Sequence, residues 1–376
     1  MKAGLINQDE RFMKEALRLA KKGLGRTSPN PAVGAVVVRD GKVVAGGYHK
    51  RAGGAHAEVE ALNGLDGRAH ERDVLYVTLE PCNHQGRTPP CTEAILKRGI
   101  KKVVVGMKDP NPGVAGGGCD FLRRQGVEVR EGTLETECRR LNEAFIKYVT
   151  TGRPFVTAKS ALTLDGWTAT ATGHARWVTN ERSRRFVHGL RDRVDGLMVG
   201  VGTVLADDPA LNTRLGARKG KDPARIIVDT HLRIPANARV MNLDSISPTI
   251  LVLGEDVPSD RIGALKGQGA VPLICPVKNG RIDLAAMMDE LGKMSITSLL
   301  VEGGAALMGS LIREGHVDKF YIFMAPKLLV GDDGVPMVSG PGPERMDQSL
   351  NLKALRLRRF GDDILIRGYP DVHGTR

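Results

Sequence analysis

Apolar residues Phe12, Met13, Ala16, Leu17 and Ala20 recur at helical spacing behind Asp9, which is placed to cap that helix, and Gly23 and Gly25 end it. The period then changes. Residues 33–38 and 42–45 are β-branched runs on either side of Asp40-Gly41, the pattern of a tight hairpin. A helix over 56–63, a buried strand over 74–79, a helix over 91–97, a strand over 102–106, a helix over 119–125 and a strand over 127–130 follow, and 135–148 reads as one more helix. Thr150-Thr151-Gly152-Arg153-Pro154 is a polar break of linker character. A second series begins at Phe155, with strands over 197–201, 225–229, 250–253, 298–301 and 319–324 and helices over 182–190 and 284–291. Helices alternating with strands predict α/β architecture with partly parallel sheets, in two domains, 1–149 and 150–376.

Composition adds exclusions. A chain of 376 residues is long enough for two domains with separate cores. No apolar run is long enough to cross a bilayer, and residues 1–9 lack the apolar core of a signal peptide, so a soluble cytoplasmic protein with no membrane partner is expected. Five cysteines, an odd and sparse set, do not suit a disulfide framework. A net charge of +12 admits either nucleic acid or an anionic small molecule. The basic residues are dispersed, and at 4% aromatic the chain has few stacking platforms, so no nucleic-acid partner is expected. A homo-oligomer is left open.

The chemistry concentrates in Ala55-His56-Ala57-Glu58, Glu80-Pro81-Cys82 and Pro90-Cys91. An imidazole and two thiolates suit a borderline-soft zinc ion, and three protein ligands leave a fourth position open, as catalytic zinc requires. Cys91 and His56 both start helices, where the positive end of the helix dipole favours a thiolate. Glu58, two residues past the histidine, is placed to carry protons; His-x-Glu followed by Pro-Cys-x-x-Cys is the pattern of zinc deaminases, here with a longer gap between the cysteines. A bland reading, a chance His-x-Glu with two buried thiols, does not account for the three segments together. Cys119, Cys138 and Cys275 have no such neighbours and read as core residues.

These motifs, with Thr27-Ser28-Pro29-Asn30-Pro31-x-Val33-Gly34, the eight-residue run between Cys82 and Cys91, and Asp109-Pro110-Asn111-Pro112 followed by Val114-Ala115-Gly116, resemble the deaminase domain of the bifunctional riboflavin biosynthesis deaminase/reductase family. The resemblance implies a cytidine-deaminase-like α/β sandwich in which His56, Cys82 and Cys91 hold Zn2+ and Glu58 is catalytic. Within the insert between the cysteines, His84 and Arg87 are candidates to reach a substrate phosphate. Asn30 is a candidate for the pyrimidine edge, and His49 for the same pocket.

In the second half, Val301-Glu302-Gly303-Gly304 is a strand end and a glycine pair before a helix start, a place where backbone N–H groups hold phosphate. No Gly-x-Gly-x-x-Gly follows a strand in the required context, which argues against a Rossmann domain. Residues 159–166, Trp177-Val178-Thr179, residues 202–209, Leu211-Asn212-Thr213-Arg214, the Glu302 segment and Ala325-Pro326-Lys327 resemble the same family's reductase domain, so the likeness spans nearly the whole chain. It implies a dihydrofolate-reductase-like α/β domain that uses NADPH. Carried over by position, Ala161, Trp177, Thr203, Asp207, Thr230 and the turn Gly304, Ala305, Ala306, Leu307, Met308 and Gly309 would touch NADPH. Lys159, Ala175, Arg191, Leu211, Arg214 and Glu302 would touch substrate. Ala175 stands where the family often has serine, which removes a hydrogen bond worth about 0.5–1.5 kcal/mol.

The family's chemistry would be zinc-dependent hydrolytic deamination of a phosphorylated pyrimidine, 2,5-diamino-6-ribosylamino-4(3H)-pyrimidinone 5′-phosphate, then NADPH-dependent reduction of its ribosyl chain to give 5-amino-6-(5-phospho-D-ribitylamino)uracil. A nucleic-acid-editing zinc deaminase with an accessory C-terminal domain would explain the charge but neither the long cysteine gap nor the second domain. A zinc scaffold without catalysis would leave Glu58 without a role.

Overall fold

The computed structural model describes residues 8–85, 89–113, 117–217, 220–267 and 269–371; Arg87 and the Val114-Ala115-Gly116 segment lie outside them. The chain divides into two compact units, Met1–Gly152 and Arg153–Arg376.

In the first unit, α1 (Gln8–Ala20) leads into the hairpin β1 (Gly34–Arg39) and β2 (Lys42–Tyr48), followed by α2 (Ala57–Asn63), β3 (Val74–Val77), α3 (Cys91–Arg98), β4 (Lys102–Val105), α4 (Gly118–Arg124), β5 (Glu128–Arg130), α5 (Glu135–Leu141) and α6 (Glu143–Thr151). The sheet order is β2-β1-β3-β4-β5, antiparallel across β2-β1-β3 and parallel across β3-β4-β5. β1, β3 and β4 are buried along nearly their whole length, because helices cover both faces of the sheet. Gly34 lets α1 lie directly against β1, since a Cβ there would run into the Ala16 carbonyl.

The expected single helix over 135–148 is broken. Asn142 leaves helical geometry at φ −109° and ψ 22°, and its buried amide exchanges hydrogen bonds with Ala32, accepting from its N–H at 2.8 Å and donating to its carbonyl at 3.1 Å. Ala32 lies in the loop after Asn30-Pro31, so this residue closes a contact 110 positions away instead of continuing a helix. The expected boundary at 149/150 falls inside the last turn of α6, which runs to Thr151 because nothing before Gly152 (φ 73°) stops it.

The second unit comprises β6 (Phe155–Leu162), β7 (Trp167–Ala169), α7 (Glu181–Arg191), β8 (Gly196–Gly200), α8 (Val201–Asp207), β9 (Ala224–Val228), β10 (Thr249–Gly254), α9 (Ser259–Gly267), β11 (Ala270–Cys275), β12 (Val277–Lys278), β13 (Arg281–Ile282), α10 (Leu284–Lys293), β14 (Ser298–Val301), α11 (Ala305–Arg313), β15 (Lys319–Met324), β16 (Val335–Pro336), β17 (Leu352–Phe360) and β18 (Asp363–Pro370). Nine strands form one sheet in the order β11-β10-β9-β8-β14-β6-β15-β18-β17. It is parallel from β11 to β15, and β18 and β17 close it as an antiparallel hairpin. From β8 the chain steps outward to β11 and returns to place β14 between β8 and β6. In such a sheet ligands bind beyond the carboxyl ends of the strands where the order reverses. Lys159, Gly200, Thr230 and Glu302 lie on or just past β6, β8, β9 and β14.

Cys119 and Cys138 are buried in the hydrophobic core of the first unit and Cys275 in one of the second, as expected. No helix among the described residues is long and apolar enough to cross a membrane.

Candidate active sites

In the first unit, β3 runs through Leu79-Glu80-Pro81 to Cys82, α3 begins at Cys91, and His56 is the N-cap of α2. Those three connections bring His56 Nδ1 within 3.2 Å of Cys91 Sγ and 3.4 Å of Cys82 Sγ, and all three ligand atoms lie within 4.8 Å of one another. Ligands at Zn–S and Zn–N bond lengths around a tetrahedral ion stand about 3.5 Å apart, so the donor set fits zinc in both type and span. The Cys91 N–H donates to Cys82 Sγ at 3.3 Å, which supports a thiolate there.

Glu58 is 3% exposed and contacts the Cys91 thiol. Burial, with the Cys82 charge adding to it, pushes its carboxyl up to about 7. A carboxyl held there exchanges protons readily near neutrality. Beside His56, with 5.4 Å between the ring centres, His49 is buried; its Nδ1 lies 3.0 Å from the Ala55 carbonyl and its Nε2 3.1 Å from Asn30 Nδ2. The neutral tautomer that satisfies both contacts donates from Nδ1 and accepts at Nε2. Both ring nitrogens are thus engaged within the chain, and His49 holds Asn30 rather than presenting a free nitrogen to a ligand. His84 is exposed, close enough to Asp109 to lower that carboxyl's pKa, although burial leaves Asp109 raised overall.

Glu80 had no role assigned from the sequence, although it stands next to Pro81-Cys82. Its two oxygens accept from the Asp109 N–H at 3.1 Å and the Cys119 N–H at 3.0 Å, tying the ligand segment to the loop after β4 and to the start of α4. Gly118 sits in that clasp with no room for a Cβ, which would collide with the Pro81 carbonyl. Gly118→Ala is therefore expected to displace the Cys82 segment, lowering stability by about 1–3 kcal/mol and weakening metal retention. Denaturant unfolding with zinc analysis of the purified variant checks both.

The second unit holds a cavity of about 1690 Å³ over the strand ends. Single-ligand pockets run to roughly 1,000 Å³, so this one has room for a dinucleotide and a second molecule together. At one side, Glu302 accepts from Arg191 Nε at 2.7 Å and Nη2 at 2.9 Å, with Lys159 Nζ at 3.7 Å. All three are largely buried. Burial alone would raise the Glu302 carboxyl, but Arg191 and then Lys159 hold it down to about 2. Lys159 is lowered, chiefly by its own burial.

In the middle of the cavity Gly303 and Gly304 precede α11. Gly304 takes φ 79°, which a side chain would resist, and a Cβ on Gly303 would lie 3.2 Å from Thr203 Oγ1. The bare backbone leaves a cradle at the N-terminus of a nine-residue helix, suited to a dinucleotide's pyrophosphate.

Ala161, Ala175, Trp177, Thr203, Asp207, Arg214, Thr230 and residues Gly304 to Met308 line this cavity together with Lys159, Arg191 and Glu302. Two expected residues do not. Leu211 is 4% exposed and packs with Val201, Val204 and Leu232 in the core, as an apolar side chain without a ligand does. Gly309 lies on the face of α11 pressed to the Ser339 carbonyl. Sequence reasoning missed His188 and Arg184, both in the lining. His188 stands one helical turn before Arg191, a spacing that could have indicated it; its Nδ1 accepts the Arg214 N–H at 3.1 Å, and burial with Arg191 and Arg214 drives it down to about 4, so it is neutral at pH 7. Arg184 stacks its guanidinium 4.4 Å from the centre of the Trp177 ring.

A half-buried zinc-type donor set beside a buried carboxylate, and a dinucleotide-sized cavity on a separate, mostly parallel sheet, are the two sites expected of a deaminase joined to a reductase. The cytidine and deoxycytidylate deaminase zinc-binding region matches residues 6–107, and the RibD C-terminal domain matches residues 154–366. The riboflavin biosynthesis protein RibD of Actinobacillus pleuropneumoniae is 42% identical over 360 residues, covering 94% of this chain and 93% of its own. Among solved structures, Acinetobacter baumannii RibD is similar with a TM-score of 0.86 at 36% identity, over 97% of this chain and 99% of its own. A diaminohydroxyphosphoribosylaminopyrimidine deaminase/5-amino-6-(5-phosphoribosylamino)uracil reductase from Thermotoga maritima is similar with a TM-score of 0.83 at 36% identity, over 96% and 99% of the two chains. The chain belongs to the RibD family: it is a bifunctional enzyme of riboflavin biosynthesis, with zinc and NADPH as cofactors. The nucleic-acid-editing alternative has no support in this full-length match.

Proposed function

We propose that the first unit deaminates 2,5-diamino-6-ribosylamino-4(3H)-pyrimidinone 5′-phosphate and that the second reduces the ribosyl chain of the product to ribityl. His56, Cys82 and Cys91 hold the metal, which when bound supplies a water acidic enough to act as a nucleophile near neutral pH. Glu58 takes a proton from the attacking water and delivers it to the departing amine, so that the C–NH2 bond is replaced by C=O and ammonia leaves. Asn30, oriented by His49, hydrogen-bonds the pyrimidine edge. Burial of Glu58 against the three converging donors is the observation that carries this assignment.

In the second unit, NADPH supplies a hydride when bound. Ala161, Trp177, Thr203, Asp207, Thr230 and the turn from Gly304 to Met308 position it. Arg214 offers donors to the substrate phosphate and Arg191, its fork held by Glu302, adds positive charge beside it, while Lys159 and Glu302 orient the ribose. The charged floor formed by Glu302 with Arg191 and Lys159 supports this placement. Cytoplasmic residence accords with a phosphorylated substrate and with NADPH.

One incubation tests both halves. The protein with zinc, NADPH and the diaminopyrimidine should convert the substrate by loss of an amino group for oxygen and then by gain of two hydrogens, read by mass spectrometry. A product with the first change alone would sink the reductase half; an unchanged substrate would sink both.

A further inference from the structure

The cavity of the second unit extends well beyond the groups assigned to the reaction. Lys159 on β6 and Thr230 after β9 are three strand positions apart, about 14 Å across the sheet, with the α11 cradle between them. A dinucleotide with its pyrophosphate at that cradle and its nicotinamide toward Lys159 must place its adenosine at the β9 side. That side is lined by the loop after β9, with His231 and Arg233, and by the β12–β13 hairpin, with Lys278 and Arg281. The two segments meet at Gly254. Its N–H donates to the Thr230 carbonyl at 3.0 Å, and a Cβ on it would lie 2.8 Å from Val277 of the hairpin.

Of the acidic groups in the lining at this end, Asp283 and Glu314 are already engaged. Asp283 pairs with Lys278 at 2.5 Å and caps α10 through the Ala285 N–H, and Glu314 lies 3.7 Å from His316. Lys278 is thereby neutralised. Arg313 donates to the Ser339 carbonyl at 3.0 Å. Arg233 is 61% exposed at its side chain and only 3.9 Å from the buried Asp229, whereas Arg281 is exposed and has no ion pair among the described residues. Two forked cations therefore face the adenosine end with donors to spare, the arrangement that accommodates a phosphate dianion.

We propose that Arg281, together with Arg233, receives the 2′-phosphate of NADPH and sets the preference for NADPH over NADH. The inference rests on the reading that this cavity binds the cofactor with its nicotinamide toward Lys159. NADH offers a neutral hydroxyl at the same place and leaves both guanidinium groups without a partner.

The test is equilibrium binding to the full-length protein, by calorimetry, of adenosine 2′,5′-bisphosphate, 5′-AMP, NADPH and NADH. Wild type should bind the 2′-phosphorylated member of each pair more tightly. Arg281→Ala and Arg233→Gln should each weaken only those members, by about 10-fold, and the double variant by roughly 100-fold, with 5′-AMP and NADH changed less than about threefold. Arg281→Ala is the decisive single variant, because it lies on an exposed hairpin and its thermal unfolding should match wild type. An unchanged preference in Arg281→Ala and the double variant, or equal losses for both members of each pair, overturns the proposal while the cofactor reading stands. Failure of wild type to bind NADPH at all overturns the reading beneath it, and the proposal with it.

Discussion

Glu58→Gln should lower the deamination rate by about 10²–10⁴-fold while zinc content and fold are retained. Glutamine keeps the volume and one carbonyl oxygen, so the closed pocket around this 3%-exposed side chain does not have to repack. It cannot accept a proton from the attacking water or return one to the leaving amine. The second unit has its own hydrophobic cores and cavity, and its oxidation of NADPH with the deaminated intermediate should be unaffected. Ammonia release, metal content and loss of NADPH absorbance, measured on one preparation, separate these outcomes. Near wild-type ammonia release would remove Glu58 from the chemistry and return the metal to a scaffold role.

Glu302→Ala should destabilise the second unit by about 3–5 kcal/mol and abolish reduction, because it strips the partner from two buried cations. Arg191 would keep its Nη1 hydrogen bond to the Asn212 carbonyl at 2.9 Å but lose both contacts to the carboxylate, and Lys159 would lose its ion pair with Glu302. The same linkage makes stability depend on pH. The Glu302 carboxyl lies at about 2 in the folded protein against 4.5 for the free group, so its stabilisation is complete above the free value and drains away as pH falls from 4.5 toward 2. Urea unfolding across that range should show wild type losing stability on acidification and Glu302→Gln losing less. Parallel acid curves for the two proteins would contradict the linkage.

Much of the metal site was legible because its chemistry is local in sequence terms: a histidine at one helix start, a cysteine at another, and a strand ending in Pro-Cys. Imidazole and thiolate have few other reasons to stand at such places. Glu80 was visible beside Cys82 but silent, since accepting two backbone N–H groups leaves no pattern in the chain. His49 read as a pocket residue; its two engaged nitrogens make it a support for Asn30. In the reductase cavity the motif match found most of the lining, yet Leu211 and Gly309 turn away, because a motif records which residues are neighbours in sequence and not which way each faces. The β17–β18 hairpin was missed altogether. The segment Leu352-Lys353-Ala354-Leu355-Arg356-Leu357-Arg358-Arg359-Phe360 is exposed through most of its length, so its polar and apolar residues are not sorted by a buried face.

By itself the sequence determined the order and type of most elements, the break between two units and the candidate metal donors, since periodicity, helix starts and ligand chemistry are properties of short stretches; the two reactions came from the resemblance of its motifs to a family. Only the tertiary structure decided that the 135–148 segment breaks at Asn142, that Glu80 clasps the metal loop, and that Arg191, Lys159 and Glu302 share one buried charge cluster. Those outcomes depend on partners tens to more than a hundred residues apart. Burial raises the energy of an unpaired polar group until one of those distant partners satisfies it.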